Sequence, residues 1–188
     1  MATQYSVASS MNPILHSFAY SLDYLREQVA DVSPTDMTAQ PRGVGNHPAW
    51  VIGHLTHACQ LLGGAVGLPS WLPEHWEKRY ATGSAPGTDA GAYDTKETLL
   101  ARLADAQARL TRAVGQLSDA QLDQPFPDPS YLDVFLTIRH ALTQVLVGHA
   151  SFHVGQVTSG GRQWACRRCG AGSNDRRKFR RVQRGARS

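Results

Sequence analysis

The chain predicts an all-α fold: a four-helix bundle, up-down-down-up, with a long crossover between helices 2 and 3. Three observations carry this expectation. Four stretches repeat apolar residues at three- and four-residue spacing while no stretch alternates as a strand does. The histidines of the second and last stretches can share a level in only one of the two simple bundle topologies. The irregular connection from Ala65 to Tyr93 has the length that this topology requires.

The first helix is announced by Asn12 as N-cap with Pro13 at the first position, where a missing amide hydrogen costs nothing. Ile14, Phe18, Leu22, Leu25 and Val29 form its apolar stripe, and Pro34 ends it by pushing Ser33 out of the helical region. The connection DVSPTDMTAQP is partly echoed by QLSDAQLDQPFP, a faint internal repeat lying each time between two helices. The second helix begins between Asn46 and Pro48 and stops at the glycine pair Gly63 and Gly64. At about 100° per residue, Trp50, Val51, His54, Leu55, Ala58, Leu61 and Leu62 share one arc, with His57 at its edge. Ala65 to Tyr93 shows no sustained period, and its prolines, glycines and aromatics indicate a crossover holding one short helix. A capping box of Asp94 and Glu97 opens the third helix, followed by Leu99, Leu100, Leu103, Ala106, Leu110, Val114 and Leu117. A second box, Ser130 and Asp133, opens the fourth, which continues through Phe135, Ile138, Leu142, Val145, His149 and Phe152 to about Gly160. His140 falls opposite His149 and is expected to face solvent.

His149 and His153 stand four residues apart in an apolar run, so a helix projects both imidazoles from one side. At about 1.5 Å per residue, His54 lies roughly 9 Å from the start of its helix and the pair roughly 10 to 17 Å from the end of theirs. They meet only if the second and fourth helices run antiparallel. Three neutral imidazoles would leave a divalent ion with open positions, the arrangement of a catalytic site. Zinc, nickel, iron and manganese all suit three nitrogen donors, and affinity order does not settle which occupies such a site in a cell; zinc or nickel is the expectation. Such an ion lowers the pKa of bound water and stabilises a thiolate, so a hydrolase and a thiol transferase both fit. The plainer reading of each histidine stands beside this: a core ring satisfied by a hydrogen bond. His57 is the alternative to His54, His47 reads as a cap or surface residue, and His16 and His75 have no partner spacing. Trp50, Trp71, Trp76 and Gln156 are the candidate substrate contacts. The crossover aromatics serve equally well as pins; Gln156 could also support a ligand, but a polar residue near a helix end is more often simply solvated.

The 188 residues suffice for one domain, placed at 1–161, with 162–188 as a basic appendage. From Arg162 onward, nine arginines and Lys178 against Asp175 make +9, so the body carries −5 of a total of +4. That segment is too poor in apolar residues to offset its ordering entropy and reads as a disordered, solvated tail. Contact with nucleic-acid phosphates would come through it alone. Hydrophobic residues at 41% and charged residues at 18% are ordinary for a soluble protein. With no apolar run of membrane-span length and no signal-peptide pattern, the expected location is cytoplasmic. Cys59, Cys166 and Cys169 do not form a disulfide framework, and the lone C-x-x-C is read as chance spacing.

WVIGHLTHA, PEHWEKRYATGSAP and HASFHVGQV together resemble the DinB/YfiT-like superfamily of metalloenzymes over about residues 10–161. The resemblance implies an up-down-down-up bundle, commonly a homodimer, with a metal held by His54, His149 and His153. It also implies that a low-molecular-weight thiol of the mycothiol or bacillithiol type can be the co-substrate of an S-transferase reaction, although many members have no assigned reaction. A non-catalytic metal-binding protein of the stress-response, DNA-damage-inducible type is the alternative. The basic C-terminus departs from the family pattern.

Overall fold

Residues 10–40 and 45–169 are described by a computed structural model, 161–169 by backbone alone. The helices are α1 (Asn12–Val29), α2 (Pro48–Ala65), α3 (His75–Tyr80), α4 (Lys96–Val114), α5 (Asp119–Leu122), α6 (Ile138–Thr143) and α7 (Ala150–Cys169). A π-helical segment, Gln144–His149, joins α6 to α7 in one continuous run. Among the described residues there is no strand, and the single extended pairing is a bridge between Pro125 and Thr137. No helix there is long and apolar enough to cross a membrane.

The amphipathic stripes go where their periods direct them. Phe18, Leu22, Leu25 and Val29 of α1, and Leu99, Leu103, Ala106, Leu110 and Val114 of α4, are buried. On α2, by contrast, burial extends nearly all the way round, as expected of a helix enclosed by others. It packs along α4, while α1 packs along α7. The echoed connections fold alike. Ser33 accepts from Asp36 N ahead of the 3-10 turn Pro34–Thr38, and Ser118 accepts from Gln121 N ahead of α5; Met37 and Leu122 follow as buried anchors.

Several boundaries differ from the sequence expectation. Met11, not Asn12, precedes α1, and no side chain caps that end. Thr95 rather than Asp94 caps α4, its hydroxyl accepting from Thr98 N at 3.2 Å. Ser130 and Asp133 do not open the last helix. Pro129–Tyr131 is a 3-10 turn capped by Asp128, and α6 begins only at Ile138, where Thr137 accepts from His140 N at 3.1 Å. The intervening loop is held by Phe126, Tyr131 and Phe135, stacked edge to face and face to face.

The π segment changes the wheel. Leu142, Leu146, Ala150 and Val154 are buried at a steady four-residue spacing, which a 3.6-residue helix would carry out of phase. One π turn absorbs the extra residue. Phe152, expected on the buried stripe, therefore faces outward at 63% exposure, while His140 is exposed as expected. The run continues to Cys169 instead of ending near Gly160. The C-x-x-C side chains and residues 170–188 of the basic tail lie outside the described residues.

The crossover is pinned to α2 at two glycines. The Tyr80 ring occupies the space a Cβ on Gly53 would need, and Trp71 lies 2.7 Å from the Cβ position of Gly63. Gln60 Oε1 accepts from Trp71 N and Leu72 N at 3.0 and 2.7 Å. Trp76 is fully buried against Tyr80, with the Arg102 guanidinium over its indole.

Candidate metal centre

His54 comes from the second turn of α2, His149 from the end of the π segment and His153 from the first turn of α7. Their Nε2 atoms converge. His149 Nε2 is 3.0 Å from that of His54 and 3.1 Å from that of His153, and the three ligand atoms lie within 4.8 Å of one another. Nitrogens about 2.0 to 2.1 Å from a zinc ion at tetrahedral angles sit ~3.3 Å apart. The three histidines are therefore close enough to bind one metal ion.

The outward nitrogens decide the protonation pattern. His54 Nδ1 is 2.6 Å from the carbonyl oxygen of Tyr80, an acceptor only, so it carries the proton and leaves Nε2 with a lone pair. His153 Nδ1 is 2.9 Å from Gln156 Oε1, which also accepts from Asn46 Nδ2 at 3.1 Å; its Nε2 is likewise a lone pair directed inward. His149 Nδ1 is buried without a partner. A proton on His149 Nε2 could bridge to one neighbour at a time and would leave the other lone pair facing no donor, whereas a cation satisfies all three. Desolvation lowers the pKa of His54 and of His149 to about 4 and lowers that of His153, so the rings are neutral at pH 7, as metal ligands must be.

Trp50, one turn before His54, stacks on its ring at 4.5 Å between centroids and 12° between planes. Its indole N–H is held by Ser84 Oγ at 3.1 Å, so the crossover and α2 orient the His54 ring together. His47 is the cap of α2. It accepts from Trp50 N through Nδ1 at 3.1 Å and donates from Nε2 to Gly87 O at 2.9 Å, and it is fully buried rather than at the surface.

Beside His149 opens a cavity of about 560 Å³, bordered by α2, α3, the loop before α6 and the π segment. His57, the alternative ligand, does not join the cluster; it lines this cavity with Nε2 2.9 Å from Glu77 Oε2. Trp50, Trp71, Trp76 and Gln156 do not line it: the first stacks on His54, the last hydrogen-bonds His153, and the other two hold the crossover. Burial pushes the Cys59 thiol up to about 12, which leaves it no nucleophile.

Sequence reasoning did not find Tyr80 O, Asn46 or Glu77 as partners. For Tyr80 a signal existed: a glycine inside a helix costs about 1 kcal/mol against alanine, and Gly53, next to His54, marks a close approach. Nothing in the sequence marks Asn46 or Glu77.

A profile of the DinB superfamily matches residues 17–157. No curated protein matches the chain. Among solved structures, a conserved protein from Enterococcus faecalis is similar with a TM-score of 0.66 at 16% identity, covering 82% of this chain and 96% of its own. That likeness, at such an identity, is one of fold. With three quarters of its length matched by the family profile, the chain belongs to the DinB superfamily.

Proposed function

We propose that this is a metal-dependent enzyme in which His54, His149 and His153 hold one divalent ion, zinc or nickel, and the adjoining cavity receives a small substrate. The reaction is transfer of a low-molecular-weight thiol, or hydrolysis. The observation that carries this reading is the convergence of three neutral Nε2 atoms, two of them fixed as lone pairs by Tyr80 O and Gln156 Oε1. A bound divalent ion supplies a Lewis acid that lowers the pKa of coordinated water or thiol. The chain's own residues do the rest. Burial keeps the imidazoles uncharged, Trp50 fixes the plane of one of them, and Asn46 and Gln156 hold the tautomer of another. The meeting of α2 and α7 at one level supports an up-down-down-up bundle.

Metal analysis of the purified chain is expected to find one divalent ion per polypeptide, lost in His153→Ala. Turnover is tested with a panel of thiols against chloro- and epoxide-type acceptors, alongside esters and amides. Metal-dependent turnover abolished by His153→Ala supports the enzyme. A stoichiometric ion with no turnover in any assay replaces it with a non-catalytic metal-binding protein.

A further inference from the structure

Resting on the reading of the cavity as a substrate chamber, its lining says what kind of compound can enter. Among the described residues that line it none is lysine or arginine, and Glu77 is the one carboxylate. Leu61, Leu68, Val134, Phe135 and Val145 make an apolar wall, and Gln60 and Gln144 add uncharged amides. Glu77 stands at the mouth with its side chain 74% exposed, and His57, whose side chain is 10% exposed, fixes its Oε2 at 2.9 Å.

An anionic group held away from the histidine cluster would lose hydration against apolar walls and uncharged dipoles, with no lysine or arginine side chain in the lining to compensate and Glu77 to repel it. A cationic group, or a neutral donor, meets the carboxylate instead. Aromatic rings of Tyr131 and Phe135 on the same wall also favour a cation over an anion. We infer that the cavity takes a compound with an apolar body whose distal end is uncharged or cationic, and that Glu77, positioned by His57, is the residue that sets this preference.

Three probes that share a benzyl body and carry three charges, none a strong metal ligand, test it: benzyltrimethylammonium, benzyl alcohol and phenylmethanesulfonate, titrated calorimetrically into the full-length chain at low salt. The ammonium and the alcohol are expected to bind and the sulfonate to bind most weakly. Glu77→Gln is expected to reduce the ammonium-to-sulfonate affinity ratio about threefold, the scale of an exposed charge pair, and Glu77→Lys to reduce it further. The difference should shrink in high salt. Exposure of this side chain means that neither variant threatens folding, which a thermal melt verifies. Sulfonate binding as tightly as the ammonium, a ratio unmoved by Glu77→Gln, or no binding by any probe overturns the inference. Metal content measured on the same samples reports separately on the ion site.

Discussion

At the scale of single residues, burial keeps His54 and His149 uncharged at acidities where an exposed histidine takes up a proton. Their folded pKa of about 4 lies below the ordinary 6.5, so the unfolded chain binds more protons between those values. Stability is therefore intact above about pH 6.5 and lost as pH falls toward 4, by about 3 kcal/mol for His54 alone. Thermal melts of the metal-free chain from pH 7.5 to 4 should show the midpoint falling through that window. An unchanged midpoint would mean that the rings are not neutral in the fold. Gln156 acts on the same centre through His153, since its Oε1 receives the Nδ1 proton and the Asn46 amide. Gln156→Leu should weaken metal affinity by about 10- to 100-fold, measured by competition with a chelating dye, while leaving the ion stoichiometry recoverable at high concentration.

At the scale of elements, two local departures from regular helix position the centre. Gly53 lets α3 lie so close to α2 that the Tyr80 carbonyl reaches His54. Alanine there gains about 1 kcal/mol of helix propensity but must displace the ring, a clash that costs about 1 to 3 kcal/mol. Displacement wins, because Tyr80 is fully buried and cannot swing away. Gly53→Ala is thus expected to lower the melting temperature and to weaken metal binding, and a more stable variant with unaltered affinity would contradict it. The π segment does the second job. It brings Leu142, Leu146 and Ala150 into the core in phase with His153, while Gln144 and Val145 line the cavity. Inserting one alanine after the exposed Gly148 adds a residue that the π turn does not absorb and should turn the two flanks by about 100° relative to each other. Helicity by circular dichroism should survive while stoichiometric metal binding does not.

For the whole molecule, stability rests on the buried seam between α2 and α4 and on that between α1 and α7. The histidine cluster spans α2 and the last helix, whereas the first of these seams joins α2 to α4. Leu103→Ala, at a fully buried position of α4 remote from the histidines in sequence, should cost about 2 to 5 kcal/mol through the cavity it leaves. Chemical denaturation should show this loss with metal affinity of the folded fraction unchanged.

The helical class, the stripes of α1 and α4, and the three histidines as a set were all readable from the chain, because 3.6-residue periodicity and i, i+4 spacing are local properties that survive into any packing. The starts of α4 and α6 were not, since several residues in a row could each cap and only tertiary contacts choose among them. Phe152 was misplaced for a related reason: a π turn breaks the constant angle on which a wheel depends, and what stabilises it is the packing of the turns on either side. Tertiary structure alone brought the Tyr80 carbonyl to His54, Glu77 to His57 and Asn46 to Gln156. Each of those pairs joins residues 20 or more apart in sequence, and which backbone carbonyl or side chain meets a ring depends on how the crossover and the helices lie together.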